Sequence, residues 1–157
     1  MEGNINILPV ISEKKRIALV AHDCKKTDLI EWATFNKVTL SAHEITATGT
    51  TGKLLEDALQ ISVNKLKSGP LGGDQQIGSR ISEGLLDFLI FFWDPMSQQP
   101  HDTDVKALLR ISMVWNIPVA CNRSTADFLV SSPLMTNAYR KTEPNYEQYE
   151  RRQLYTS

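Results

Sequence analysis

Arg16-Ile17-Ala18-Leu19-Val20-Ala21 runs apolar without polar alternation and breaks off at His22-Asp23. A run this short and this uniform fits a strand buried on both faces, as in a parallel sheet. Residues 87–93 (Asp-Phe-Leu-Ile-Phe-Phe-Trp) form the most strongly β-like run in the chain and stop at Asp94-Pro95, where proline cannot continue a central strand. Residues 43–47 supply a second, half-polar strand, 62–67 a weaker third and 118–121 a short fifth. Helical spacing fills the gaps. Leu29, Trp32 and Ala33 share one face of residues 28–36, and Leu54, Leu55, Ala58 and Leu59 mark the next helix. Ile77 and Ile81 lie within about residues 75–82, which Gly84 stops. Val105, Leu108, Leu109, Ser112 and Met113 share a face that leaves Lys106 and Arg110 outside, and a last short helix over 124–130 opens at Ser124 or Thr125.

Strands that alternate with helices in this way predict an α/β fold. It has three layers and is doubly wound, with a mostly parallel five-stranded sheet and helices on both faces. The 157 residues make one domain, with 1–14 as a loose leader and about 139–157 as a polar C-terminal extension lying over the surface. Apolar residues are 41% and charged residues 22%, and the formal net charge of −1 gives no footprint for nucleic acid. No apolar run is long enough to span a bilayer, and the first residues lack the basic region of a signal peptide. Cys24 and Cys121 form no metal-type pair and fit free thiols in a reducing cytosol.

In a parallel sheet the loops after successive strands share the carboxyl edge, where open α/β sheets bind ligands. Four polar loops fall there: His22-Asp23 after the first strand; Thr48-Gly49-Thr50-Thr51-Gly52 after the second; Ser68-Gly69-Pro70-Leu71-Gly72-Gly73-Asp74-Gln75-Gln76 after the third; and Asp94 with His101 after the fourth. One cleft therefore collects two histidines, several carboxylates and two small-residue loops. The threonine turn offers hydroxyls and N–H groups at a helix start, an anion-binding arrangement, or simply caps that helix through Thr50 or Thr51. It is not a P-loop, because no Gly-Lys-Ser/Thr ends it, and no dinucleotide glycine fingerprint follows the first strand. Lys26, one turn beyond Asp23, leans into the cleft as a phosphate cation or points to solvent. Asp74 is a catalytic carboxylate or the cap of the helix that follows. His101 is a proton carrier or a loop residue before a cap at Asp102, and Asp94 and Asp104 orient it or cap helices. His22, Asp23, His101 and the carboxylates could also hold a divalent metal, although no short two-histidine spacing supports this.

Taken together, Ala18-Leu19-Val20-Ala21-His22-Asp23 with Lys26, Ala47-Thr48-Gly49-Thr50-Thr51-Gly52, the 68–76 loop, Phe91-Phe92-Trp93-Asp94-Pro95, the 100–108 stretch opening Pro-His-Asp, and Trp115-Asn116-Ile117-Pro118-Val119-Ala120 resemble the bacterial methylglyoxal synthase family. The match runs from about residue 16 to 130 in order and spacing. The resemblance implies a cofactor-free and metal-free cytoplasmic lyase that converts dihydroxyacetone phosphate to methylglyoxal and inorganic phosphate. It also implies a homohexamer inhibited by phosphate. On the same ground Asp74 is the base, and His101 polarises the carbonyl and moves protons. His22, Asp23, Asp94 and Asp104 line or support the site, and Lys26, Thr48, Thr50, Thr51, Ser68 and Gly69 hold the phosphate. His22 and His101 also touch substrate. Two positions depart from the family: Gln153, beside Arg151 and Arg152, stands where an arginine is expected, and Cys121 stands where a threonine is expected. A phosphate-sensing module of the same fold without catalysis is the alternative, and a metal-dependent hydrolase a third reading.

Overall fold

The strands at 16–21 and 88–92 have no polar face, so they need cover on both sides, and they take the middle of the sheet. The computed structural model describes residues 10–98 and 102–153. Five strands, β2 (Arg16–Ala21), β3 (Glu44–Thr48), β4 (Val63–Leu66), β5 (Phe88–Phe92) and β6 (Val119–Ala120), form one wholly parallel sheet in the order β4-β3-β2-β5-β6. β2 pairs with β3 from Arg16↔Glu44 and with β5 from Ile17↔Phe88. The order reverses beside β2, which makes that strand the topological switch point of the sheet.

Alternate side chains of β2 enter different cores. Ile17, Leu19 and Ala21 pack with Leu29 and Trp32 of α1 (Lys26–Phe35), Leu55 and Leu59 of α3 (Gly49–Leu59), and Ala126 of α6 (Arg123–Ser131). Ala18 and Val20 pack with Ile77 and Ile81 of α4 (Gly73–Ser82) and with Val105 and Leu108 of α5 (Asp102–Val114). Two apolar cores on one sheet are the three expected layers. The shorter strand bounds relative to the sequence reading reflect ladder pairing, which ends before the apolar run does.

Three capping readings are corrected. Asp74 is not a cap: α4 begins two residues earlier than that would require, with Gly72 at the N-cap position at φ 105°, so the carboxylate sits in the first turn. Neither Thr50 nor Thr51 caps α3, whose N-cap is Thr48. The cap of α6 is Asn122, whose side chain accepts from the Thr125 N–H at 2.9 Å, because an asparagine outside the helix reaches the orphan donor that Ser124 inside it cannot. The described residues of the leader and of the C-terminal extension also carry regular structure. β1 (Val10–Ile11) pairs antiparallel with β7 (Tyr139–Arg140), and Tyr146, just before α7 (Glu147–Gln153), donates to Val114 O at 2.5 Å and stacks edge-on against Trp115. A short α2 (Lys37–Ser41) follows α1 and has no counterpart in the sequence reading.

Polar groups at the amino edge of the sheet pair with one another, except His43 Nε2, which is buried without a hydrogen bond. Asp87 accepts from the Arg16 backbone N–H at 2.8 Å and takes the Arg16 guanidinium at 3.0 Å. The fully buried Lys15 ammonium donates to Ser12 O and Asn137 O, both at 2.6 Å, which ties the leader to the chain before β7. The Lys15 N–H donates to His43 Nδ1 at 3.0 Å. Burial, and then the charges of Lys15 and Lys14, push the His43 imidazole below its ordinary value of 6.5.

A base held neutral by folding stabilises the protein fully above its unfolded pKa of about 6.5, and the contribution fades as pH falls toward its lower folded value. His43→Gln keeps an acceptor for the Lys15 N–H and cannot titrate. Calorimetric scans between neutral and mildly acid pH are therefore expected to show a smaller loss of Tm in the variant than in the parent.

Candidate active site

Two loops of small residues meet at the carboxyl edge because glycines let their backbones touch. Gly49 has φ 40°, and a Cβ there would stand 2.8 Å from Ser68 Cα. The threonine turn is thereby pressed against the start of the glycine-rich loop. Within that loop Ser68 O accepts from the N–H groups of Leu71 and Gly73, at 3.0 and 2.9 Å. Gly73 is the tightest point: a Cβ would lie 2.0 Å from Lys67 O. This packing swings the start of α4 inward and buries Asp74, which is 3% exposed. Gln76 braces the bend from below by accepting the Lys67 N–H through Oε1 at 2.9 Å.

The result is a cleft of about 300 Å³ lined by Val20 to Asp23, Lys26, Thr48 to Thr51, Ser68 to Pro70, Asp74 and Phe91. Every residue expected to hold phosphate, together with His22, Asp23 and Asp74, lines this one space. The starts of α3 and α4 both open onto it, so two sets of helix N-terminal N–H groups present partial positive charge to the same volume. Lys26 adds a full charge. Its ammonium donates to Asp23 Oδ1 at 2.6 Å and to Thr50 Oγ1 at 3.2 Å, and thus bridges the first two loops. Such a cradle suits a phosphate ester or phosphate ion.

His22 lies on the floor of the cleft, 5% exposed, with its ring edge-on to Phe91 at 5.0 Å between centroids. Its Nδ1 accepts the Asp94 backbone N–H at 3.0 Å, so a neutral ring carries its proton on Nε2. Asp94 does not line the cleft but stands behind His22. Its Oδ1 accepts from the Met96 N–H at 3.0 Å, and its Oδ2 from the Cys24 thiol at 2.9 Å. These bonds, with one from the Ser97 side chain, hold the Asp94 carboxyl at about 2, and the Cys24 thiol is pushed up by the same pairing. Asp104 is on the far side of α4. It shares with Asp74, Gly78 and Arg110 the groove between α4 and α5. His101 lies outside the described residues. Asp102, which follows it, opens α5. Among the described residues no group of three or more His, Cys, Asp or Glu side chains is placed to hold a metal ion. Neither Arg151 nor Arg152 lines the cleft.

Sequence reasoning missed Phe91 as the wall behind His22 and the Cys24–Asp94 bond. Phe91 is inside a strand that reads as core. Cys24 and Asp94 are 70 residues apart, and only the register of β2 on β5 brings them together.

The chain matches the family model for the MGS-like domain over residues 28–121. It is 55% identical to the methylglyoxal synthase of Leptospira interrogans over 132 residues, 84% of this chain and 89% of that one. It is 58% identical to that of Pseudoalteromonas atlantica over 134 residues, covering 85% and 99%. It is 53% identical to that of Saccharophagus degradans over 149 residues, covering 95% of each. The crystal structure of methylglyoxal synthase from Elizabethkingia anophelis NUHP1 superposes with a TM-score of 0.86 at 52% identity, over 90% of this chain and 93% of that one.

Two glycines of α4 separate tight packing from mere flexibility. Gly73→Ala forces a methyl group onto the Lys67 carbonyl and is expected to lower Tm by several degrees. Gly78→Ala meets only Ile111 Cγ2 at 3.7 Å. It should be neutral or raise Tm by about 2–4 °C through helix propensity. Calorimetry of the two variants checks both.

Proposed function

The chain belongs to the methylglyoxal synthase family, and from that premise we propose how its cleft turns dihydroxyacetone phosphate into methylglyoxal and inorganic phosphate. It is a lyase of the phosphate-eliminating kind, and its relatives match it over nearly their whole length. The observation that carries the division of roles is the buried Asp74 carboxylate facing a cradle built from two helix starts, a lysine and three threonines.

Asp74 is assigned the removal of a proton from the carbon beside the carbonyl. A carboxylate kept from bulk water and held close to its target serves as a general base. The enediolate that forms carries negative charge on oxygen, and fixed donors nearby stabilise it. His22, protonated on Nε2, is one such donor. His101 is given carbonyl polarisation and proton transfer on the strength of the family resemblance, as Asp104 is given a supporting role. Thr48, Thr50, Thr51, Ser68, Gly69 and Lys26 take the phosphate. Asp23 holds Lys26 in place through their 2.6 Å contact.

The cradle also selects the outcome. Phosphate leaves an enediolate readily only when its C–O bond stands out of the enediolate plane. A grip that fixes the phosphate in that orientation favours elimination, and a grip in the plane would favour isomerisation. The protons balance within substrate and side chains: the carbon proton passes to Asp74, the enediolate expels phosphate, which takes up a proton as Asp74 is regenerated, and the enol product gains a proton at carbon as it loses its hydroxyl proton, giving methylglyoxal. Assembly as a homohexamer and inhibition by inorganic phosphate complete the proposal. The first rests on the family resemblance and the second also on the cradle, which fits the product anion as well as the substrate.

The decisive assay follows methylglyoxal and phosphate released from dihydroxyacetone phosphate. Asp74→Asn is expected to lose a factor of at least about 10² in kcat with KM nearly unchanged. Turnover close to the parent's would remove Asp74 from its role. Lys26→Ala should raise KM and weaken phosphate inhibition together, since both depend on the same cation. Binding of substrate without any product in the parent protein would instead indicate a sensor.

A further inference from the structure

A thiol-to-carboxylate contact sits directly behind the cleft. Cys24 belongs to the single turn Asp23–Lys25 that links β2 to α1, and Asp94 to the loop leaving β5. The Asp94 carboxylate is fixed at both oxygens, by the Cys24 Sγ–H at 2.9 Å and by the Met96 N–H at 3.0 Å. The same residue's backbone N–H points to His22 Nδ1 at 3.0 Å, and the His22 N–H donates to Phe92 O at 3.2 Å. Together these bonds make a closed frame: His22 and Cys24 on one strand's exit, Phe92 and Asp94 on the other's.

We propose that Cys24 is a positioning residue for the lyase reaction: its thiol proton holds the Asp94 carboxylate so that the Asp94 N–H keeps His22 with Nδ1 as acceptor and Nε2 protonated toward the cleft. This rests on the functional reading above and extends it to a residue that never touches substrate. The Cys24 side chain acts as a donor rather than a nucleophile. Its proton is committed to an anion, and the thiolate is disfavoured beside that carboxylate, although Lys25 lies close and acts in the opposite sense. The charged and titratable groups around Asp94 are Cys24 and Lys25 from the turn before α1 and His22 from the end of β2, with the uncharged Ser97 and the Met96 N–H from its own loop. Of these, the Cys24 proton has the largest part in keeping Asp94 ionised. A neutral Asp94 would lose its grip on the thiol and the Met96 N–H, and the loop that presents its N–H to His22 would be free to shift.

The test compares Cys24→Ala, which removes the donor, with Cys24→Ser, which keeps a hydroxyl donor, and uses Cys121→Ser as the control for loss of a thiol. In Cys24→Ala, kcat is expected to fall about tenfold with KM within about twofold, as for loss of a hydrogen bond to a charged group acting on an oriented catalyst. The carbon-13 titration of the Asp94 carboxyl should move up from about 2 toward the ordinary aspartate value, and the nitrogen-15 shifts of His22 should change from one tautomer to a mixture. Cys24→Ser should recover most of all three, and Cys121→Ser should match the parent. A Cys24→Ala protein with the parent's kcat, Asp94 titration and His22 shifts overturns the proposal, as does a serine variant no better than alanine. If the parent made no methylglyoxal the functional reading would fall, while the Asp94 and His22 spectra would still decide what Cys24 does.

Discussion

The geometry of the cleft depends on one steric fact: two stretches of backbone approach each other more closely than any side chain permits. Gly49 lies against Ser68, and Gly73 lies under the carbonyl of Lys67. Ser68 is common to both contacts, because its carbonyl also gathers the N–H groups of Leu71 and Gly73. Through it the end of β3, the end of β4 and the start of α4 become one rigid piece. Asp74 is buried because that piece is closed, and the two helix starts face the same space for the same reason. The placement of Asp74 is set first by the absence of Cβ atoms and only then by side-chain chemistry.

The two edges of the sheet use polar residues in opposite ways. At the amino edge Arg16 and Asp87 neutralise each other, Lys15 is absorbed by two carbonyls, and His43 accepts a backbone proton. At the carboxyl edge the donors and carboxylates converge on a cleft large enough for a small phosphate ester. The parallel arrangement enforces this division, since every strand leaves the sheet on the same side. A chain of net charge −1 can thus still gather donors for an anion at one place. Those donors are the N–H groups of two helix starts and one lysine, and they owe nothing to the overall composition.

Much of this was legible in the sequence because it depends on local pattern. The uniform apolar runs of β2 and β5 fix the parallel sheet, and the strand-to-loop order alone gathers His22, Lys26, the threonine turn, Ser68 and Asp74 at one edge. What was not legible depends on distance in the chain or on a shift of two residues. The alternative of Asp74 as a cap stayed open because aspartate favours that place, yet Gly72 can take φ 105° and moves the helix start back, turning the carboxylate inward. Asn122 wins the cap of α6 from Ser124 by a similar margin. The Cys24–Asp94 bond and the burial of Lys15 require partners 70 and 122 residues away, which no periodicity announces.

The pairing of β1 with β7 has a dynamic consequence. It joins residues 10–11 to residues 139–140, and the Lys15 ammonium reinforces it through Asn137. The ladder formed is only two residues deep, and Val10 and Tyr139 are exposed. This clasp therefore belongs to the part of the molecule that opens at low free energy, while the central strands open only with global unfolding. It also lies at the amino edge, with the full length of the sheet between it and the cleft. Amide protons in the clasp can exchange with solvent many times while those around Ser68 and Asp74 stay protected, so the molecule can breathe at its ends while the cleft keeps its shape.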